Sequence, residues 1–305
     1  MVNKQLLGQF YTTSDPFLGS DAFSLWNNLR PKDTKVLEPF AGSGLLYSYL
    51  NEDWIGYDID PKLSTIIQQN TIQNFPTGFD VCITNPPYLA KTTISRQKLN
   101  TIVKYQDLYL DCLKLMLDNC KYIAAIIPST FYNTKLFQNR LIAWDKLDRE
   151  IFSDTDVPVG VAYFAPKSES LKIYVNGKEI KEYPPQSVKS NISFNVENGN
   201  YVLCAIDTTK GRNIHIHNDV KNFDRKKYLK HTSRNYSLFY SPKELNIDNV
   251  NSFIQMWRDE TNDFYLTSFK STMKTGIYRK RMNFNILKWI ISMVDVPLMQ
   301  VEHIL

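Results

Sequence analysis

The sequence predicts an α/β protein whose first half is a mostly parallel sheet with helices on both faces, followed by a smaller mixed α+β domain. Three observations lead there. Short β-compatible runs at residues 35–40, 54–61, 80–84 and 122–127 alternate with turn or helical stretches, the pattern that builds a parallel sheet. The runs stop at Gly, Asp or Pro, the punctuation of strand ends. Beyond about residue 168 the alternation gives way to a hairpin around Asn176-Gly177 (residues 171–183) and short strand-like pieces. Two domains are therefore expected, 1–168 and 169–305.

Composition narrows the class. With 305 residues, 43% apolar and 22% charged, the chain reads as an ordinary globular protein. No apolar run approaches the roughly 18 residues of a membrane span, and the first residues lack the apolar centre of a signal peptide, so no membrane partner and a cytoplasmic location are expected. Cys82, Cys112, Cys120 and Cys204 are scattered without a CxxC pair, which predicts reduced buried thiols and no metal site. Residues 1–168 hold 16 Lys+Arg against 17 Asp+Glu, net −1; residues 169–305 hold 20 against 14, net +6. The second half carries the positive field, which suits nucleic acid as well as mere solubility.

The most informative stretch is Asp80–Tyr88. Residues 80–84 read as a short buried strand, and Asn85-Pro86-Pro87-Tyr88 stops it in a rigid corner. There the Asn85 amide oxygen and the Pro86 carbonyl are two acceptors fixed side by side, which suits an NH2 group, and Tyr88 offers a face for stacking a planar ring. A plain Asn-Pro turn is the competing reading. Its place at the carboxyl edge of a sheet, where ligand crevices of open sheets lie, favours the site.

Upstream, residues 8–17 are polar, with Ser14/Asp15 before Pro16 as a candidate cap for a helix over residues 17–29. Residues 35–40 form a strand, Ala41-Gly42-Ser43-Gly44 a turn, and residues 45–50 a helical stretch. This is a nucleotide-binding βα corner: glycines let backbone approach a ligand, and Glu38 can accept a hydrogen bond from a cationic or hydroxyl-bearing group. No Walker lysine follows, and the spacing is not GxGxxG. The strand at 54–61 ends in Asp58 and Asp60, with Asp58 placed to receive ribose hydroxyls. Each acid alone reads equally as a cap or solvated turn.

GlnPheTyrThrThr, LeuGluProPheAlaGlySerGly, TyrAspIleAspPro and AsnProProTyr, in this order, resemble the N6-adenine DNA methyltransferases of restriction-modification systems in their γ motif order. The resemblance covers roughly residues 8–166. It implies the Rossmann-like fold of S-adenosylmethionine (SAM)-dependent methyltransferases, SAM as cofactor and double-stranded DNA as partner. It also implies a C-terminal target recognition domain and a cognate restriction endonuclease acting on the same site. Residue by residue, Thr12, Glu38, Ala41 and Gly42 would line the SAM pocket and Asp58 hold its ribose. Asn85, Pro86 and Pro87 would frame the target amine, and Tyr88 would stack on a flipped adenine. Phe152 would grip the base from the other face, or else belong to the core, the commoner fate of a lone Phe. Only about 20 residues separate Asp60 from Asp80, so the second crossover is shortened. A strand at 65–70 would place Asn70 opposite the SAM adenine, with Asn74 the alternative.

Residues 89–100, with Lys91, Arg96 and Lys98, read as a loop at the site's mouth, residues 105–117 as an amphipathic helix burying Leu108, Cys112, Leu115 and Met116, and residues 159–165 as a further strand. In the second half, residues 221–234, including Lys226 and Lys227, and residues 275–281, with Arg279 and Arg281, are the candidate DNA-contacting clusters. The rival readings are an RNA adenine methyltransferase, a protein glutamine-amide methyltransferase, and a non-catalytic DNA-binding module.

Overall fold

The computed structural model describes residues 10, 12–50, 52–97, 103–153, 155, 157–221 and 235–294. It divides into two compact units, residues 1–179 and 180–305. The division thus falls after Glu179, beyond the boundary at 168 read from the sequence.

In the first unit α1 (Asp21–Leu29) is capped by Ser20, whose Oγ accepts the Phe23 N–H at 3.1 Å. The expected cap at Ser14/Asp15 does not start the helix; Asp15 instead accepts the Phe17 N–H at 2.8 Å in a local turn. The sheet contains β1 (Val36–Glu38), β2 (Trp54–Asp58), β3 (Ile67–Gln68), β4 (Val81–Thr84), β5 (Tyr122–Pro128), β6 (Leu141–Leu147), β7 (Val159–Phe164), β8 (Lys172–Val175) and β9 (Lys178–Glu179). Their order is β3-β2-β1-β4-β5-β7-β6-β8-β9. The first five strands are parallel in the 3-2-1-4-5 order of a doubly wound sheet, and β7 runs antiparallel to both β5 and β6. The order reverses between β1 and β4, where Leu37 pairs with Cys82, so a crevice opens beyond the carboxyl ends of these two strands.

Several elements depart from the sequence reading for physical reasons. β6 escaped notice because Asp145 and Lys146 interrupt its apolar run, yet every residue of it is buried. Asp145 is held inside by donors: Ser20 Oγ at 2.9 Å and the Gly177 N–H at 2.9 Å. The Asn176-Gly177 hairpin forms with both turn residues at positive φ (49° and 82°), as a two-residue primed turn requires. It belongs to the first unit, however, since β8 pairs in parallel with β6. Residues 91–97 form a short helix, α2 (Lys91–Gln97), not a loop, because Ile94 packs with Leu89, Val103 and Leu108. The next helix, α3 (Leu108–Asn119), buries Leu113 where Leu115 was expected, leaving Leu115 half-buried. β3 is only two residues long and lies on the edge; no helix separates it from β2, and the stretch after β1 winds into a 3-10 turn over Leu45–Tyr49.

The second unit is built on an antiparallel sheet of β10 (Ser193–Phe194), β11 (Tyr201–Cys204), β12 (His215–His217) and β13 (Tyr236–Tyr240) in the order β10-β13-β11-β12. Helices Ile247–Glu260 and Phe284–Val294 bury Ile254, Trp257, Leu287 and Trp289 in the same core as Leu203 and Phe239. A separate hairpin joins β14 (Thr267–Thr272) to β15 (Tyr278–Arg281).

Candidate active site

The glycine turn after β1 is tied down by backbone and carboxylate together. Ala41 N–H donates to the Tyr57 carbonyl at 2.9 Å, and Gly42 N–H to Asp58 Oδ2 at 2.8 Å; Asp58 Oδ1 takes the Asp60 N–H at 2.8 Å. Gly42 and Gly44 sit at φ 54° and 72°, the left-handed region where a side chain is strained. At Gly44 an added Cβ would also come within 2.7 Å of Leu63.

Beside this turn lies a cavity of about 240 Å³, lined among others by Thr12, Glu38, Gly42, Asp58, Asn70 and Asn85. Ala41, Pro86 and Pro87 also face it, whereas Tyr88, Phe152 and Asn74 are not on its wall. Asn70 therefore stands at the cavity and the alternative Asn74 does not. Glu38 is 2% exposed, and its Oε2 has no hydrogen-bond partner among the described residues. Burial pushes the Glu38 carboxyl well above the usual range, neighbouring Asp58 adds to the rise, and the Thr84 hydroxyl opposes it. A buried carboxylate with one oxygen left without a partner, beside a second carboxylate, fits a ligand bearing an ammonium group. SAM carries such a group, and its ribose and adenine offer donors for Asp58 and Asn70, so the residues present fit that cofactor.

The Asn85 corner closes the same cavity. Asn85 Nδ2 donates to the Phe10 carbonyl at 2.8 Å and lies 3.4 Å from Thr12 Oγ1, which orients the amide so that Oδ1 faces the other way. Oδ1 accepts the Tyr88 hydroxyl at 2.5 Å. The N-terminal segment is held there by Thr13 N–H donating to the Ile151 carbonyl at 2.8 Å and by a bridge between Thr12 and Phe152. Tyr88 packs edge-on against Phe152 and Tyr109 and tilted against Phe10, at centroid distances of 6.3, 6.2 and 5.8 Å. Burial raises the Tyr88 phenol well above its ordinary pKa, so it is a neutral donor. Phe152 is a core residue, 5% exposed, and its ring neighbours that of Tyr88.

Residues 34–157 match the Eco57I restriction-modification methylase family. The matched segment contains the glycine turn, both acids, the Asn85 corner and Phe152. The chain has no significant match among curated proteins. Among solved structures it is similar to the type I restriction-modification methyltransferase subunit of Streptococcus thermophilus, at 15% identity over 61% of this chain and 51% of that one, with a TM-score of 0.42. It is also similar to the type IIG restriction endonuclease BpuSI (17% identity, 54% and 27% covered, TM-score 0.40) and to the 23S rRNA methyltransferase ErmE (16%, 52% and 71%, TM-score 0.37). The chain thus spans about half the length of the first of these.

Phe10 is the site residue to which sequence reasoning gave no role. It lines the cavity, its carbonyl orients Asn85 and its ring touches Tyr88 and Phe152. Its signal in the sequence was its place in the GlnPheTyrThrThr motif, two residues before Thr12. In the second unit, Lys226 and Lys227 lie outside the described residues. Arg279 donates from Nε to the Asp207 carbonyl at 2.7 Å and from Nη1 to Ser271 Oγ at 3.2 Å, while Arg281 is half-buried in β15 and bridges Ile206. No helix among the described residues is long and apolar enough to cross a membrane, and among them no cluster of His, Cys, Asp or Glu could hold a metal ion.

Proposed function

We propose that the chain is a SAM-dependent methyltransferase acting on the N6 amine of a flipped-out adenine in duplex DNA, within a restriction-modification system. The observation that carries this is the shared cavity: the acid pair Glu38/Asp58 and the amine-binding corner Asn85-Pro86 line one space. Glu38 would hold the ammonium of SAM, Asp58 the ribose and Asn70 the adenine, with Thr12, Ala41 and Gly42 closing the pocket. SAM supplies an electrophilic methyl group when bound.

Asn85 Oδ1 and the Pro86 carbonyl hold the target NH2 by its two hydrogens, which draws the nitrogen lone pair out of the ring. Asn85 accepts but is a poor base, so its contribution is orientation of the amine, and the proton leaves after transfer. The half-buried Tyr88 ring, backed edge-on by the buried Phe152, stacks on the base, which offsets an unstacking cost of roughly a few kcal/mol. The basic second unit serves as target recognition domain, and a cognate endonuclease cutting the unmethylated site is the expected partner.

The deciding experiment offers duplex DNA, structured RNA and a Gln-bearing release-factor protein in parallel, with labelled SAM. N6-methyladenine in the DNA digest is the expected product. Label confined to RNA or protein would select one of those rival substrates, and SAM binding with no transfer would leave a non-catalytic binder.

A further inference from the structure

The second unit has a rigid hub from which two turns project side by side. Arg258 is fully buried and makes paired hydrogen bonds to Asp207 (3.0 and 2.7 Å) and to Asp263 (2.6 and 3.0 Å). The Asp207 carboxylate also accepts the Asn213 N–H at 2.8 Å and the Lys280 N–H at 3.2 Å; its own N–H donates to the Lys280 carbonyl at 3.0 Å. Arg279 Nε takes the remaining acceptor, the Asp207 carbonyl. One buried residue therefore sets the turn at residues 208–211 against the β14–β15 hairpin.

The two tips are laced directly: the Lys274 N–H donates to the Thr209 carbonyl at 2.9 Å, and Gly276 at φ 80° closes the hairpin. What they present differs from their base. Thr209, Lys210, Lys274 and Thr275 are exposed, as is Ile277 at 37%. Arg212 nearby is paired with Asp259 and Asp263, but no hydrogen bond or ion pair from the Lys210 or Lys274 side chain occurs among the described residues. Of the two cations singled out there in the sequence, Arg279 and Arg281, the first is an anchor, and so is Lys280 between them, 1% exposed with Nζ on Ser268 Oγ at 2.9 Å.

We infer that this paired tip, and not strand β15, reads base edges in duplex DNA, with Lys274 and Thr275 contacting base-edge acceptors, Ile277 a thymine methyl, and Lys210 a phosphate. The assignment rests on the DNA-methyltransferase reading above. Its chemistry suits the major groove, which admits a two-stranded ribbon and displays acceptors and methyl groups that Lys, Thr and aliphatic side chains discriminate. An immobile base matters because a reader must keep its register while the groove is searched.

The test uses the full chain and a pool of random-sequence duplexes, sequenced for methylated sites. With Lys274→Ala, Thr275→Ala or Ile277→Ser, preference at one or two positions should fall by roughly 5- to 150-fold while Tm stays unchanged. Lys210→Ala should weaken all duplexes alike and flatten the log affinity against log salt slope by about 0.9. Arg279→Ala should lower Tm. If the tip variants keep the wild-type site profile, or lose affinity uniformly, base reading by this tip is overturned while the methyltransferase reading stands. If the wild-type chain methylates no duplex, both fall.

Discussion

The Tyr88 hydroxyl stands 2.5 Å from Asn85 Oδ1 and 2.8 Å from the Ile126 carbonyl, so a single phenolic proton faces two acceptors. Whichever oxygen it serves, Asn85 keeps a lone pair for another donor. The phenol is therefore a strut for the Asn85 amide, and the ring is the part a target base would use.

This separates two substitutions at one position. Tyr88→Phe removes the strut and should cost about 0.5–1.5 kcal/mol of stability while methyl transfer stays within about tenfold of wild type. Tyr88→Ala also removes the stacking face, which for a base is about 1–3 kcal/mol, and kcat/KM should fall by roughly 5- to 150-fold. Urea unfolding and steady-state kinetics on both variants check this; equal activity losses would mean that the hydroxyl, not the ring, matters.

Asn85 links the corner to the N-terminal segment, so its substitution should be felt in two places. Asn85→Ala should abolish transfer, leave SAM affinity nearly unchanged, and deprive the Phe10 carbonyl of its donor. Hydrogen exchange at the Thr13 N–H, bonded to Ile151, should then quicken. Wild-type methylation by the variant would remove Asn85 from catalysis; unchanged exchange would show that Thr12 and Thr13 are held without it.

Much of this arrangement was legible because its determinants are local. Strand ends marked by Glu38, Asp58 and Asn85 follow from β-compatible runs stopped by Pro or Gly, and they meet because the strand order reverses between β1 and β4. What escaped depends on distant partners. Asp145 and Lys146 look like surface residues until Ser20 and Gly177 are brought to the Asp145 carboxylate. Arg279 looks like a free cation until Asp207, far away in sequence, takes its Nε. Phe10 acts partly through its carbonyl, which no side-chain pattern reveals.

If Glu38 holds the cofactor's ammonium, binding is linked to its protonation. Burial and Asp58 raise its carboxyl above the ordinary range, and an ammonium group in the cavity would draw it back down by favouring the charged form. SAM binding should release a proton, and affinity should rise with pH until it passes the Glu38 pKa of the free protein, then level off. Calorimetry in buffers of different ionisation enthalpy measures the release. Glu38→Gln should abolish the linkage and weaken binding by about 1.5–3 kcal/mol. A buffer-independent binding heat would place the ammonium elsewhere.

Asp145 gives the first unit a pH dependence of unusual sign. Its carboxyl is pushed from 3.8 to about 6, chiefly by burial, against the opposing effects of the Gly177 N–H, the Ser20 hydroxyl and Arg149. Between those two values the folded protein binds more protons at this site than the unfolded chain. The linkage slope is therefore negative, and this carboxyl's contribution to stability is full below about pH 4 and is lost as pH rises toward and past 6. The shift corresponds to at most about 3 kcal/mol. Most other carboxylates lose stability in the opposite direction, toward acid, so the effect is best isolated by difference. Asp145→Asn keeps an acceptor for the Gly177 N–H and can donate to the Ser20 oxygen, so the fold should survive with its neutral form fixed. Urea unfolding of both proteins at pH 4, 5, 6 and 7 should show the wild type losing ground to the variant across this range, with the gap levelling above about pH 6. A gap that does not change from pH 4 to 7 would mean that Asp145 does not titrate there. A gap of opposite slope would mean that its donors outweigh burial and hold the carboxylate charged.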